Sequence, residues 1–259
     1  MEDMFNSRQE KILEILNNSG YVEVEMLASS FDVATQTIRR DLSELCDRGL
    51  ASRVHGGARR AISTSMATYE ERRLAAKASK SSIANAASKL IPNGSSVAIN
   101  IGTTTEQVAD ALQLHKDLTV ITNNINVVHI LRNARLKSLS IIGGEVRLSD
   151  GAIVGADAVD AIRNYKVDYA IIGASSLDHD GSVLDFDQRE VAVARAIIAN
   201  ARTKILVCGG SKFEVSAPHR ICDISQLDII VTDTAPPSSF QEIAVKSNTK
   251  IIMTEMNNE

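Results

Sequence analysis

The sequence predicts an α/β protein with a small N-terminal winged helix-turn-helix and a larger C-terminal, doubly wound, mostly parallel α/β domain. Three observations lead to this prediction. The first 62 residues contain three short helical patterns followed by a candidate β-hairpin. From Ser96 onward, short β-branched runs alternate with helical stretches, which is the pattern of βα units in a parallel sheet. The chain has 259 residues and therefore has room for two domains of unequal size.

The first two helices are expected to be short and amphipathic. Ser7 and Glu10 have the spacing of a capping box, so the first helix is expected to begin at Ser7. The second helix is expected over about residues 24–30, with Met26 and Leu27 pointing inward. Helices of this length need a partner for their apolar faces, and the third helix supplies it.

The third helix is expected from about residue 34 to residue 48. Ile38, Leu42 and Leu45 occur at positions i, i+4 and i+7, so they share one face and pack on the first two helices. The other faces are left with threonine, glutamine and arginine side chains, which can bond base edges or phosphates.

A β-hairpin, the wing, is expected from strands at about 50–54 and 58–62, joined through His55-Gly56-Gly57. Residues 35–60 hold six arginines and three acidic residues, although the whole chain has a net charge of −4. The arginine fork suits both phosphate and guanine, so this local charge matters more than the total. The pattern predicts that the third helix enters the major groove of double-stranded DNA and that the wing contacts the backbone or minor groove.

Taken one at a time, each arginine fits an ordinary solvated surface better than a DNA contact. Taken together, the three-helix spacing, the concentration of arginine and the Gly-Gly turn favour DNA binding. The predicted DNA-binding residues are Thr35, Gln36, Thr37, Arg39, Arg40, Arg53, His55 and Arg59.

Residues 63–75 are expected to form a linker, so that the predicted domains span residues 1–62 and 76–259. Thr68 is placed to cap a helix running from Tyr69 to about Leu90. Seven apolar, β-branched runs follow, and each is expected to be a strand of one sheet. In chain order they read SVAINI, LTVIT, LSIIGG, VDYAIIGA, KILVCGG, LDIIVTD and TKIIM.

The strongest ligand-binding pattern is Gly102-Thr103-Thr104-Thr105, which lies between a predicted buried strand and a predicted helix. A strand, a glycine turn and a helix N-terminus direct free backbone N–H groups at an anion. The threonines could instead only cap the helix. Asn123-Asn124 and Gly143-Gly144 end the next two strands, and the carboxyl ends of parallel strands meet at one crevice. Together these features favour a phosphate site with room for a polyol beside it.

An acid-rich group, Asp185, Asp187, Arg189 and Glu190, stands ahead of a helix predicted over residues 189–201. This group could be only a solvated loop with acids at a helix N-terminus. The sharper interpretation is that Asp185 or Glu190 accepts hydrogen bonds from the hydroxyl groups of a ligand.

The composition argues against several classes of protein. No run of eighteen apolar residues is present, and MEDMFNSRQE carries acids where a signal peptide would be basic and then apolar, so a cytoplasmic protein is expected. The three cysteines lie far apart with no C-x-x-C pair, and the five histidines form no H-x-x-x-H pair. We therefore expect neither a disulfide framework nor a metal site, and no cofactor.

The stretch ATQTIRRDLSELCDRGLASRVHGGA resembles the helix-turn-helix and wing of the DeoR family of bacterial sugar-metabolism regulators. The resemblance continues through IPNGSSVAINIGTTTEQVADAL, GSVLDFDQREVAVARAII and GGSKF, and so covers essentially the whole chain. It implies a ligand-responsive regulator rather than an enzyme, and it adds Lys212 to the expected phosphate ligands. The sequence departs from the family pattern at Asn100, Ala194 and Gly209, each of which replaces a charged residue in or near the expected crevice.

The expected function is repression of a carbohydrate catabolic operon, relieved when a small phosphorylated sugar or polyol releases the protein from its operator DNA. A homodimer or homotetramer is expected, since one winged domain offers few contacts and two half-sites multiply the affinity. Two alternatives stay open: a transcription activator, and a sugar-phosphate isomerase-like enzyme in which Glu190 or Asp185 acts as a base. An isomerase has no need of an arginine-bearing helix-turn-helix, which favours the regulator.

Overall fold

The computed structural model describes residues 5–19, 21–48, 50–54, 56–60 and 68–254. Contacts within the chain divide it into two compact units, residues 1–63 and residues 64–259. Each unit has a hydrophobic core of its own, as an independent domain requires. His55 and the side chain of Arg59, both predicted to bind DNA, lie outside the described part of the chain.

The N-terminal unit combines three helices with a three-stranded antiparallel sheet. Its elements are α1 (Ser7–Ser19), β1 (Tyr21–Glu23), α2 (Val24–Phe31), α3 (Thr35–Asp47), β2 (Ala51–Val54) and β3 (Gly57–Arg60). The hairpin of β2 and β3 confirms the predicted wing, and Ile38, Leu42 and Leu45 of α3 are buried as predicted. Strand β1 was not predicted; it pairs with β3, which gives the sheet order β1-β3-β2.

Two local predictions in this unit are wrong. The capping box of α1 forms one residue earlier than Ser7 and Glu10, since Asn6 Oδ1 accepts from the Gln9 N–H at 2.9 Å. Gln9 Oε1 accepts in return from the Asn6 N–H at 3.2 Å. Met26 is exposed rather than inward, because it lies roughly 200° around the helix from the first residue of α2, where the buried face begins.

The C-terminal unit is built on a seven-stranded sheet in which all neighbouring strands are parallel. The seven runs predicted as strands are its seven strands. In sheet order these are β15 (Lys250–Met253), β14 (Ile229–Thr232), β12 (Ala201–Val207), β9 (Val167–Ile172), β4 (Ser96–Ile99), β5 (Leu118–Thr122) and β6 (Leu136–Ile141). Successive side chains enter different cores: Ile205 and Val207 belong to one buried cluster and Leu206 to another. Both faces are therefore covered, which confirms the doubly wound prediction.

Helices alternate with these strands along the chain. They are α4 (Tyr69–Leu74), α5 (Lys77–Ser88), α6 (Thr103–Leu112), α7 (Ile125–Leu131), α8 (Ala156–Arg163), α9 (Gln188–Ala199) and α10 (Ser238–Lys246). Among the described residues, no helix is both long enough and apolar enough to cross a membrane.

The single long helix expected after Thr68 is wrong, because the chain divides it into α4 and α5. Ala76, between the two helices, has a φ of 49°. Lys80 Nζ donates to the carbonyl of Arg72 and, at 2.7 Å, to that of Ala75. These bonds satisfy carbonyl groups that a continuous helix would have satisfied with backbone N–H groups. Thr68 caps α4 as predicted.

Two antiparallel additions to the sheet were not predicted. One is a hairpin of β7 (Glu145–Arg147) and β8 (Ala152–Val154), and the other a small sheet of β10 (Ser176–Leu177), β11 (Ser182–Asp185) and β13 (His219–Asp223). The hairpin follows β6 and the small sheet begins after β9, so both lie beyond carboxyl ends of the central strands. They supply several of the side chains described next.

Candidate functional site

The order of the strands creates a crevice at the centre of the large sheet. From β4 the chain winds outward through β5 to β6, then returns to β9 on the other side of β4 and winds outward through β12, β14 and β15. In open α/β sheets, ligands bind beyond the carboxyl ends of the strands at such a switch point. The crevice lies there, because its walls include residues 101–105 after β4 and residues 173–175 after β9.

The turn after β4 has the geometry of an anion site. Gly102 has a φ of 135°, a conformation that favours glycine, and Thr105 Oγ1 donates to its carbonyl at 2.8 Å, which holds the turn closed. The first helical hydrogen bond of α6 is made by the Glu106 N–H. The N–H groups before it are therefore available to an anion. Thr103 and Thr104 line the crevice beside them.

Basic side chains also line this crevice. Arg72 comes from α4, and Lys212 from the short 3₁₀ helix Gly210–Glu214. Burial, and then the charge of Arg72, lower the pKa of Lys212. Burial, and then repulsion from Lys212 and Arg72, lower the pKa of nearby Lys80. A bound phosphate would relieve this repulsion among the cations.

Two acidic side chains, Asp185 and Glu190, complete the lining. Asp185 Oδ1 accepts from the backbone N–H of Phe186 at 2.7 Å, and so is held at the end of β11. Glu190, in the first turn of α9, is 8% exposed. Burial, and then repulsion from Asp185, raise the pKa of Glu190 to about 8 against the attraction of Arg147. A carboxyl group of this kind can both donate to and accept from a ligand hydroxyl.

Arg147, at the end of β7, ties the acidic residues to the β7–β8 hairpin. Its Nε and Nη2 donate to the two oxygens of Asp150, at 2.9 Å and 2.7 Å. Nη1 donates to Asp187 at 2.9 Å, and Nη2 donates to Glu190 at 2.8 Å. Although burial opposes it, hydrogen bonding to Asp150 and the charge of Glu190 raise the pKa of Arg147. We call this group the Arg147 cluster.

The crevice brings together most, but not all, of the predicted ligand-binding residues. Those that line it are Gly102, Thr103, Thr104, Thr105, Asp185, Glu190 and Lys212. Those that do not line it are Asn123, Asn124, Gly143 and Gly144. Asn124 Nδ2 instead donates to Glu106 at 3.0 Å, and Asn123 Nδ2 donates to the Ile153 carbonyl at 3.2 Å. The assignment of these four residues to the ligand stays a prediction.

Four residues at or beside the crevice were not predicted from the sequence: Arg72, Glu106, Arg147 and Asp150. Arg147 and Asp150 stand three residues apart, but the other two partners of Arg147 lie 40 and 43 residues away. No local spacing connects residues at that separation. The one local hint in the sequence was Arg147 itself, an arginine that follows soon after Gly143-Gly144.

The three residues that depart from the family pattern do not line the crevice. Asn100 is buried, and within the described residues neither polar atom of its side chain has a hydrogen-bond partner. Ala194 lies on the inward face of α9 and is fully buried in the core. A Cβ on Gly209 would lie 3.4 Å from Asp233 Oδ2. None of the three places a charge in the crevice, so its charges are those of the lining residues.

Replacing Glu190 with glutamine should remove a pH dependence of stability. The folded state binds this proton more tightly than the unfolded chain does, so the free energy of unfolding falls as the pH rises from about 4.5 to about 8. One such group contributes a slope of at most about 1.4 kcal/mol per pH unit. Urea unfolding of E190Q across this range should lack that slope, whereas the exposed Glu242→Gln variant should retain it. An unchanged slope in E190Q would assign the titration to another group.

The N-terminal unit presents the predicted DNA-binding side chains on α3 and the wing. Thr35, Gln36, Arg39, Arg40 and Arg53 are exposed, and Thr37 is half-buried. Arg39 and Arg53 both line a groove of about 460 Å³ between α3 and the wing. The opposite face of α3 is fixed by Asp41, whose carboxylate lies 2.6 Å from Arg8 Nε of α1. This pairing stabilises the orientation in which the arginines of α3 face solvent.

Two family patterns match the chain. The DeoR-like helix-turn-helix domain matches residues 8–64, and the DeoR C terminal sensor domain matches residues 75–234. The two matches fall on the N-terminal and C-terminal units respectively.

Individual relatives cover nearly the full chain. The Glycerol-3-phosphate regulon repressor of Escherichia coli strain K12 is 41% identical, over 91% of this chain and 94% of its own length. The HTH-type transcriptional repressor CsqR of the same strain is 35% identical, over 96% of this chain and 95% of its own. Among solved structures, Ribose 5-phosphate isomerase from Plasmodium falciparum has a TM-score of 0.37 at 13% identity, covering 53% of this chain and 52% of that one. This last likeness is too remote to bear on activity.

Proposed function

This chain belongs to the DeoR family of DNA-binding transcription regulators, and from that premise we propose that it represses a carbohydrate catabolic operon until a phosphorylated sugar or polyol fills the crevice. The observation that carries the proposal is a helix N-terminus with free N–H groups beside Arg72 and Lys212. Such an arrangement suits a phosphate. The relatives are named as repressors, and we assign no catalytic step to this chain.

Glycerol 3-phosphate is the first effector to test, because it appears in the name of a relative that is 41% identical. Its phosphate would lie on the N–H groups of residues 103–105, with Lys212 as a point charge. Asp185 and Glu190 would then bond its hydroxyl groups. Binding and operator release are linked: if the effector lowers operator affinity, the operator lowers effector affinity by the same factor.

DNA binding rests on α3 and the wing. With Arg39 and Arg40 exposed along α3, α3 would lie in the major groove, and Arg53 of the wing would contact the backbone. The few contacts of one winged domain are multiplied when two copies bind two half-sites, so the proposal includes a homodimer or homotetramer.

The Arg39→Ala and Arg40→Ala variants should each bind the operator about 1–3 kcal/mol more weakly if the arginine reads a base, and with a smaller salt dependence if it holds a phosphate. Fluorescence anisotropy of a labelled operator at several salt concentrations measures both quantities. Arg163→Ala, an exposed arginine of the C-terminal unit, is the control and should bind like the wild type.

The same titration tests the regulatory half of the proposal. Glycerol 3-phosphate should release the wild type from the operator, whereas glycerol should not. Light scattering of the free protein and of the complex gives the number of copies bound. Operator binding that is unaltered in both arginine variants would rule out α3 as the groove element, and release by glycerol alone would rule out the phosphate site.

A further inference from the structure

Arg72 is a crevice residue supplied by a weakly packed element. Helix α4 has six residues, and none of them is buried. A helix without a buried apolar face gains little from hydrophobic packing, so polar contacts must hold it in place. The side chain of Arg72 nevertheless lines the crevice beside the turn of residues 102–105 and Lys212.

The polar contacts of α4 lead directly to the anion site. Tyr69 Oη donates to Glu106 Oε2 at 2.8 Å, and Glu106 lies in the first turn of α6, whose N-terminus forms the site. Burial, and then this hydrogen bond, raise the pKa of Tyr69, so the hydroxyl keeps its proton and remains the donor. At the other end of α4, Lys80 Nζ holds the carbonyl groups of Arg72 and Ala75. We call the Tyr69–Glu106 bond the α4 latch.

Arg72 is incompletely paired where it stands. Its Nε is buried and, among the described residues, has no hydrogen-bond partner. Its Nη2 lies 3.8 Å from Asp150 Oδ2, which is an ion-pair distance but not a hydrogen bond. Asp150 already accepts two hydrogen bonds from Arg147. A guanidinium with an unused N–H beside a helix N-terminus is suited to bind a phosphate oxygen.

The crevice also lacks the space that a phosphate ester needs. Its free volume is about 30 Å³, far below the roughly 300–1,000 Å³ of pockets that hold small-molecule ligands. A lining element must therefore move when a ligand enters. Helices α6 and α9 both have buried faces, whereas α4 has none, so α4 is the wall that can move at the lowest cost.

We propose that Arg72 is a phosphate-binding residue of the effector site and that α4, held by its latch, moves outward to admit the ligand and then closes on the bound phosphate. This inference rests on the proposed function, and it identifies Arg72 and α4 as the part of the site that responds to the effector. Helix α4 is also the first described element after the winged domain in the sequence. We therefore expect that effector binding, by holding α4 in one position, changes the affinity for the operator.

Calorimetry on the full-length protein with glycerol 3-phosphate, and with inorganic phosphate as a second probe, tests the role of Arg72. Arg72→Gln should weaken binding of both probes by at least about tenfold, because a charge-assisted hydrogen bond is lost. Arg72→Lys, which keeps the charge, should bind with intermediate affinity. Arg73→Gln, on the same helix but paired with Glu70 at the surface, should stay within about twofold of the wild type. Operator binding without effector checks that each variant is folded.

The outcomes separate this inference from the proposed function. A wild type that binds glycerol 3-phosphate and glycerol equally overturns the phosphate site, and the role of Arg72 with it. A wild type that prefers the phosphorylated compound, together with an R72Q variant of equal affinity, overturns only the role of Arg72.

Hydrogen exchange and the Tyr69→Phe variant test the movement of α4. Glycerol 3-phosphate should slow exchange of the Arg72 and Ala75 amides, which bond within α4, in the wild type but not in R72Q. Tyr69→Phe removes only the latch hydroxyl, so it should need severalfold more effector to release the operator. Exchange that the effector leaves unchanged, or release at the wild-type concentration in Y69F, would show that α4 does not close on the ligand.

Discussion

The Arg147→Ala variant should lose about 3–5 kcal/mol of unfolding free energy, a large fraction of the total for an ordinary domain. The arginine is 14% exposed and is shared by three carboxylates. Its removal takes two hydrogen bonds from the buried side chain of Asp150 and one each from Asp187 and Glu190. Leaving buried acceptors without these donors costs more than the ion pairs themselves contribute. The β7–β8 hairpin would also lose its connection to the N-terminus of α9.

Urea unfolding measures this loss, with tyrosine fluorescence as the signal, since the chain has no tryptophan and three of its four tyrosines lie in the C-terminal unit. Arg189→Ala is the matched control: Arg189 also bonds Asp187 but is 48% exposed, so solvent screens the pair and its loss should cost much less than the loss of Arg147. Adding Asp150→Asn to the Arg147→Ala variant should recover part of the stability, because the buried carboxylate that lost two hydrogen bonds to Arg147 no longer carries a charge. A loss near the control's value, or no recovery in the double variant, would contradict the central role of Arg147.

The parallel sheet could be predicted because each of its strands can be recognised from a short stretch of sequence. Each strand, such as VAI at Val97–Ile99 or ILV at Ile205–Val207, is a short β-branched or apolar run followed by a turn signal. A strand buried on both faces needs such a run, and few other elements of that length do. The same local logic located the three N-terminal helices, whose apolar residues recur with the period of a helix.

The elements that were missed depend on contacts between distant residues. Strand β1 is three residues long and exists because it pairs with Arg59, Ala58 and Gly57 of β3. The break between α4 and α5 is stabilised by a lysine that reaches back to two carbonyl groups. Neither feature has a composition that distinguishes it from a connector or a continuous helix. Tertiary contacts, and not local propensity, determine both strand β1 and the break between α4 and α5.

Some residues of the candidate site could likewise be predicted from the local sequence, and others could not. The glycine–threonine turn, Asp185 and Glu190 could be predicted because strand ends and helix starts carry recognisable residues. Arg72 and Glu106 could not, since their roles depend on how α4 packs against α6. The amides of Asn123 and Asn124 were predicted to bind the ligand from their place at a strand end; Asn124 also bonds Glu106 and Asn123 bonds the backbone of β8, contacts that no local pattern predicts.

The Thr103→Ala/Thr104→Ala double variant should bind glycerol 3-phosphate more than about a hundredfold more weakly than the wild type. Each hydroxyl can donate one charge-assisted hydrogen bond to a phosphate oxygen, worth roughly 1.5–3 kcal/mol. Thr105 is left in place because its hydroxyl already bonds the Gly102 carbonyl and shapes the turn. Calorimetry with glycerol 3-phosphate and with glycerol separates the phosphate contribution from that of the polyol.

The Thr103→Ser/Thr104→Ser variant keeps both hydroxyls and should lose at most about fifteenfold in affinity, since two lost methyl groups are worth at most roughly 1.6 kcal/mol. If the serine variant loses as much affinity as the alanine variant, packing rather than hydrogen bonding explains the effect. Operator titrations give an independent check, because the two ligands are linked. The effector concentration that half-releases the alanine variant should rise by the factor that calorimetry measures, while its operator affinity without effector stays that of the wild type. Unequal factors would mean that the threonines act on the coupling between the two domains and not on phosphate binding alone.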